Sequence, residues 1–171
     1  MDILSYLREE IQWAHQVLEM TMADVTPEQA HWLPPGEAHP VGASYVHVVC
    51  SEDGVVSAFL KGGAPMFTST WAGKTGASVA QWENSLEWAR RVQVDLPTFR
   101  TYAQAVYAAT NDYLNSVTEA DLDRQIDLSS VGMGQRSVGW ILGALLMGRL
   151  HNLSGEISAV RGAQELKGYP F

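Results

Sequence analysis

The chain has 171 residues, a length typical of one domain, and 46% of its residues are hydrophobic, which is enough for a packed core. Its single cysteine, Cys50, has no internal disulfide partner, as is usual in a reducing compartment. The net charge of -8 would repel a nucleic-acid backbone, and no apolar run approaches the ~18 residues that cross a bilayer. We therefore expect a cytoplasmic protein with one domain, residues 1–171, that binds neither nucleic acid nor membrane.

The first predicted element is a long helix near residues 3–23, because apolar residues recur there at spacings of three and four. After it, Thr26–Gln29 has a capping-box pattern with Pro27 at the first helical position, which predicts one short helical turn. The prolines between Pro34 and Pro40 cannot continue a helix, so an ordered connection should follow. The apolar face of the first helix consists of Leu4, Leu7, Ile11, Ala14, Leu18 and Thr21 or Met22.

A second long helix is predicted near residues 42–61, and its inner side includes one charged residue, Asp53. A buried carboxylate is costly unless it is paired, so Asp53 should have a partner. The following segment, residues 62–77, is too apolar for a disordered linker, and we expect it to fold over the bundle. Ser78 is then predicted to cap a short helix that reaches about Arg90.

Two further long helices complete the predicted fold. Asp95–Pro97 is a typical helix entry, an acidic cap followed by proline, and it predicts a helix over residues 96–116. Ser137 precedes the clearest apolar stripe of the chain, which predicts a helix over residues 138–161. Alternating apolar residues between 126 and 136 predict a minor hairpin. Four long amphipathic segments favour an all-α fold, a four-helix bundle with short extra helices.

Several short motifs together span nearly the whole chain: WLPPGEAHPVGA at residues 32–43, Tyr45, His47, Ser51–Asp53, GEISAVRG at residues 155–162 and LKGYPF at residues 166–171. In these motifs the chain resembles the DinB-like family. The resemblance implies a four-helix bundle, often dimeric, in which one His of the second helix and a His-x-x-x-His pair of the fourth bind a divalent metal. Its members include thiol-dependent transferases and isomerases, such as mycothiol-dependent maleylpyruvate isomerase, in which the metal activates a low-molecular-weight thiol.

The chain departs from that family pattern on the fourth long helix. His47 matches the first metal ligand, but aligning GEI at residues 155–157 places Arg149 and Leu153 where the paired histidines stand. His151 is about 200° away from both positions on a helix with 3.6 residues per turn. The resemblance therefore implies an incomplete metal triad, in which His47 alone is in place for a divalent ion such as Zn or Ni.

Four interpretations of this cleft remain open, and in the plainest His47 is a partly buried imidazole that is hydrogen-bonded to a carboxylate or a carbonyl. We expect His47, Asp53, Arg149 and Glu156 to converge between the second and fourth long helices. A metal could be held by His47 and Glu156, completed by Asp53 or water. Alternatively, Arg149 could form a salt bridge with Asp53, Glu52 or Glu156, or bind an anionic group of a small-molecule ligand, because a guanidinium matches carboxylate geometry.

These interpretations lead to two hypotheses of function. The first is a small-molecule metalloenzyme of the thiol-transferase or isomerase type. The alternative is a non-catalytic, dimeric ligand-binding or stress-associated protein whose cleft is closed by a salt bridge. A homodimer is expected in either case, because the resembling family is often dimeric and Trp140 and Met147 lie outside the main apolar stripe of their helix.

Other reactive or aromatic side chains are given plainer roles. His31 and His39 lie in or beside the Pro-rich connection and are expected to form hydrogen bonds there. Cys50 has no base partner at motif spacing and is expected to pack in the core. The tryptophans could fill the core, line a ligand cavity or cover a dimer interface; those considered are Trp71, Trp82, Trp88 and Trp140.

Overall fold

Four long helical segments form a bundle in the computed structural model, which describes residues 2–171. The predicted all-α fold is confirmed, with boundaries within two residues of those expected. The segments are α1 (Ile3–Met22), α3 (Val41–Asp53) with a π-helical continuation (Gly54–Leu60), α5 (Leu96–Ser116), and α6 (Val138–Trp140) continued by a π-helical stretch (Ile141–Gly148) and α7 (Arg149–Ala163).

Shorter elements connect these segments. Two of them are the helices α2 (Pro27–His31) and α4 (Leu86–Arg91). The predicted hairpin is formed by β1 (Gln125–Asp127) and β2 (Gln135–Ser137), which pair antiparallel with Ile126 opposite Arg136. The remaining elements are 3-10 turns at Met66–Thr68, Glu119–Asp123 and Ser129–Val131.

Three predicted side-chain caps begin their helices, those of Thr26, Asp95 and Ser137, whereas α3 begins after Pro40 without a side-chain cap. Asp95 accepts a hydrogen bond from the Thr98 amide at the start of α5, and such a cap satisfies an amide that has no partner in the first turn. The start of α4 was predicted wrongly, because Ser85 rather than Ser78 is its cap. The Ser78 hydroxyl instead accepts from the Gln93 amide, and residues 78–85 are not helical.

The core lies around α3, whose residues from Val41 to Asp53 are all buried. The sequence predicted a single inner side, but α3 packs against both α5 and α7 and has no exposed face. The predicted apolar faces of α1 and α5 are buried as expected. Within residues 2–171 no helix is long and apolar enough to cross a membrane.

The segment that follows the π-helical end of α3 folds over the bundle, as predicted. Trp71 packs against Tyr102 of α5, with 5.6 Å between the ring centroids. Gly76 lies close to α5, with φ of +89°, and a Cβ atom there would be 2.8 Å from the Phe99 amide nitrogen. Only glycine fits this position without strain, so the segment is held close to the helix.

Candidate functional site

Three of the four predicted cleft residues line one cavity between α3 and the last long helix. His47, Arg149 and Glu156 line this polar cavity of about 300 Å³, and Asn84 and Asn152 lie on it as well. His47 is buried on α3, Arg149 begins α7 and is half-buried, and Glu156 is exposed at the rim. The structure thus brings these three residues together where α3 meets the last long helix.

A second, apolar cavity of about 260 Å³ adjoins the first and shares Leu145 and Arg149 with it. Trp82 and Phe59 stack in its wall, with 5.8 Å between the ring centroids and 9° between the planes. Arg149 thus lies where an apolar cavity meets a polar one. The apolar lining consists of Val55, Phe59, Trp82, Val131, Met133 and Leu145.

Arg149 has few partners for a half-buried cation. One guanidinium nitrogen, Nη1, donates a hydrogen bond to the Ser51 hydroxyl at 3.2 Å. In the part of the chain that the structure describes, Arg149 forms no ion pair. Burial lowers the pKa of Arg149, but a guanidinium stays protonated in proteins. The cleft therefore contains a positive charge with most of its five N–H donors uncommitted.

Ser51 connects Arg149 to His47. The Ser51 hydroxyl lies 3.4 Å from His47 Nδ1, one helical turn away on α3. Burial, followed by the charges of Arg149 and His39, lowers the pKa of His47 to about 4. His47 is therefore neutral at pH 7, and Arg149 supplies the positive charge of this group. Ser51 was not among the predicted cleft residues, although its i+4 spacing from His47 places both on one helical face.

Asp53 does not join this cleft, and its predicted pairing with Arg149 is wrong. Its carboxylate accepts hydrogen bonds from the Tyr102 hydroxyl and the Ser57 hydroxyl, each at 2.8 Å. It also accepts from the backbone amides of Met66 and Phe67 at 2.9 and 3.0 Å. The partner that a buried carboxylate requires is thus the segment folded over the bundle, and Asp53 holds it in place.

Glu52 is also unavailable to Arg149. Its carboxylate lies within hydrogen-bond distance of the buried His15 of α1, whose Nε2 is 2.9 and 3.0 Å from the two oxygens. The Thr110 hydroxyl donates to the same carboxylate from α5. Because these partners are separated by 37 and 58 residues, no local pattern predicts them. The pair ties α1, α3 and α5 together rather than contributing to the cleft.

The residues of the cleft do not fit a three-histidine metal centre. Leu153 is buried and has no ligand atom, and Arg149 brings a positive charge to the position of another ligand. Within residues 2–171, no group of three or more His, Cys, Asp or Glu side chains could hold a metal ion. His151 lines neither cavity, as the helical geometry predicts. Of the three histidine positions in the family pattern, this chain has only His47.

The other candidates have structural surroundings. Cys50 is fully buried, and burial raises the pKa of its thiol to about 12, so it is not a thiolate at neutral pH. His31 Nδ1 lies 2.8 Å from the Pro27 carbonyl oxygen, and Nε2 accepts from the Val94 amide. The tryptophans do not share one role, because Trp88 is buried, Trp82 lines the cleft, Trp71 packs on Tyr102 and Trp140 is exposed.

Comparisons with known proteins agree with this fold. The family model of the DinB superfamily matches residues 10–153. The chain is also similar to the crystal structure of a conserved protein from Enterococcus faecalis, with a TM-score of 0.79 and 23% sequence identity. That match covers 94% of this chain and 96% of the other, and at this identity it establishes the fold alone. None of the curated proteins compared with the chain matches it. The predicted family resemblance is thereby confirmed.

Proposed function

Because the chain belongs to the DinB superfamily but has Arg149 and Leu153 where paired histidines are expected, we propose that it binds a small organic anion in this cleft. Arg149 would hold the anion in place of a metal ion. The observation that carries the proposal is the half-buried guanidinium, which has a hydroxyl partner but no carboxylate partner among residues 2–171. A guanidinium binds a carboxylate through two parallel hydrogen bonds, a geometry that this open side chain could adopt.

The surroundings of Arg149 suit such a ligand. Small-molecule sites are usually concave and mainly apolar, with a few polar groups that fix the orientation of the ligand. Here the apolar cavity provides the concave, apolar surface. The polar groups are those of Ser51, the neutral His47 and the amides of Asn84 and Asn152. An anion would also compensate a charge that the fold leaves without a counterion.

This proposal retains part of the second hypothesis from the sequence, the ligand-binding protein. The closing salt bridge is left out, because the predicted acidic partners of Arg149 are engaged elsewhere or exposed to solvent. The metal-dependent thiol transferase keeps only His47 of its ligand set. No further feature of the cleft supports the thiol-transferase hypothesis over anion binding, and a titration with metal ions distinguishes the two.

A calorimetric titration of the full chain with acetate, benzoate and succinate tests the proposal, with the corresponding amides as uncharged controls. We expect at least one acid to bind and its amide not to bind. Arg149→Met should abolish this binding. The matched control is Arg91→Met, which removes an exposed arginine paired with Glu87 and should leave binding unchanged. Equal binding by the parent and Arg149→Met would contradict the proposal.

A zinc and nickel titration of protein purified without an affinity tag tests whether the cleft binds a divalent metal ion. The parent should bind neither ion tightly, because Arg149 repels a cation and Leu153 supplies no ligand atom. Arg149→His alone should create a weak site, and Arg149→His together with Leu153→His should bind zinc strongly, since three imidazoles suit that ion. Tight stoichiometric binding by the parent that depends on His47 would favour the thiol-transferase hypothesis instead.

We also propose that the protein forms a homodimer. Trp140 is 40% exposed, and Met147 is half-buried against the core. On the outer side of α1, Trp13 is exposed and stacks on Phe171, which is itself 71% exposed. Exposed apolar patches of this kind often mark interfaces. Sedimentation velocity at micromolar concentration should show a dimer, and a monomer alone would refute the proposal.

A further inference from the structure

We infer that the anion is a monocarboxylate that bears one apolar group about the size of an aromatic ring. This inference rests on the proposed function and deepens it, because it specifies the ligand on both sides of Arg149. Three properties of the cleft support the inference. They are the size of the apolar cavity, the charges around the two cavities and the positions of the polar groups relative to Arg149.

The apolar cavity sets the size of the ligand's tail. An engineered apolar cavity of about 150 Å³ holds benzene, so the 260 Å³ here has room for one ring with a short linker. Its wall is well defined, because a Cβ atom on Gly54 would be 1.9 Å from Trp82 Cε3 and the indole therefore lies directly on the helix backbone. Phe59 supports the indole from one side and Phe67 meets it edge-on, with 6.2 Å between the Phe67 and Trp82 centroids.

The charges around the cleft limit the ligand to a single negative charge. Among the described residues, Arg149 is the one positively charged side chain that lines either cavity at pH 7. Glu83 lies on the rim of the apolar cavity and Glu156 on that of the polar cavity, and both are exposed. A second anionic group on the ligand would be repelled by these carboxylates and by the chain's net charge of -8. Among residues 2–171, no second cation of the cavity lining would compensate it. Dicarboxylates and phosphate esters are therefore poor candidates.

The arrangement of polar groups sets the orientation of the ligand. Arg149 lines both cavities and donates to Ser51, so a carboxylate bound to the guanidinium has the apolar cavity on one side. On its other side lie His47 and the amides of Asn84 and Asn152. These neutral groups can form hydrogen bonds with a hydroxyl or water next to the carboxylate. The tail therefore points toward Trp82 and the carboxylate toward α7.

A ligand series on the full chain tests this inference. We would titrate phenylacetate against acetate, which lacks the ring, phenylacetamide, which lacks the charge, and homophthalate, which adds a second carboxylate. Phenylacetate should bind roughly 70-fold more tightly than acetate, because about 100 Å² of apolar surface is buried. The amide and the dicarboxylate should each bind at least about tenfold more weakly than phenylacetate. The amide has no negative charge to pair with Arg149, and the second carboxylate of homophthalate is repelled by the acidic residues at the rim.

Two variants separate the tail from the charge. Val131→Ser changes an exposed residue of the apolar wall and should weaken phenylacetate binding about threefold without changing acetate binding. Leu145→Gln, at the junction of the cavities, should have a larger effect in the same direction. If no carboxylate binds, the proposed function fails. If carboxylates bind through Arg149 but acetate or homophthalate equals phenylacetate, the proposed function stands and this inference is overturned.

Discussion

Asp53, at the end of α3, and Arg149, at the start of α7, use their charges differently. The Asp53 carboxylate accepts hydrogen bonds from two hydroxyls and two backbone amides, and these donors come from α5, the π-helical end of α3 and the segment folded over it. Arg149 donates to one hydroxyl and has no counterion among residues 2–171. A buried charge with saturated partners fixes the fold, whereas one with unused donors is available to a ligand.

The largest effect should follow from changing the saturated charge. Asp53→Asn replaces one acceptor oxygen with an NH₂ group that faces existing donors, so the free energy of unfolding should fall by about 3 kcal/mol. Urea denaturation followed by circular dichroism measures this loss. The control, Asp123→Asn, changes an exposed aspartate and should stay within about 0.5 kcal/mol of the parent. An unchanged midpoint for Asp53→Asn would remove the distinction between the two charges.

A smaller effect is expected where α3 meets the wall of the cleft. Gly54→Ala would place its Cβ inside the Trp82 ring, so the indole must move, at a cost of about 2 kcal/mol. The displaced ring should also weaken phenylacetate binding. Gly63→Ala is the matched control, because its Cβ would meet only the Ser57 carbonyl oxygen at 3.5 Å and its φ is not positive. Equal stability of the two variants would show that Trp82 is not held against the helix.

Removing a single donor from Asp53 should cost less than changing the carboxylate. Tyr102→Phe deletes the hydroxyl that lies 2.8 Å from Asp53 and leaves the ring in the core, so the expected loss is about 1.5 kcal/mol. The same change at the exposed Tyr6 should have almost no effect on the urea midpoint. If Tyr102→Phe were as damaging as Asp53→Asn, the hydroxyl rather than the whole set of donors would dominate.

The sequence predicted the parts of this comparison that depend on local spacing. Residues within a few positions of one another determine the helical faces and the helix caps, which are Thr26, Asp95 and Ser137. The same local pattern shows that Asp53 needs a partner. The identity of that partner does not follow from local spacing, because Tyr102 is 49 residues away from Asp53.

Only part of the candidate site follows from the sequence, because some of its features depend on residues that are distant along the chain. Arg149 was placed opposite His47 by the family resemblance, and the structure brings both onto one cavity. The freedom of Arg149 from a counterion depends on Asp53 and Glu52 having distant partners in α5 and α1, which no motif records. The apolar cavity likewise needs Trp82 and Val131 to meet from separate loops.

The smallest effect on stability should come from the charge with unused donors. Arg149→Met removes a half-buried cation that has one hydroxyl partner, so the free energy of unfolding should change by less than about 1 kcal/mol and could rise. Arg161→Met is the informative contrast. Arg161 is buried and donates to Asp24 at 2.7 Å and to the Thr21 carbonyl oxygen, so its loss should cost about 2 to 3 kcal/mol.

Measuring both arginine variants by urea denaturation, together with phenylacetate titration, distinguishes a ligand-binding cation from a structural one. Arg149→Met should keep its stability and lose binding, whereas Arg161→Met should lose stability, and the fraction that remains folded should still bind. If Arg149→Met is as unstable as Arg161→Met, the guanidinium is part of the packing of α3 against α7. The cleft would then be a structural junction, and its open donors would not be evidence for a ligand.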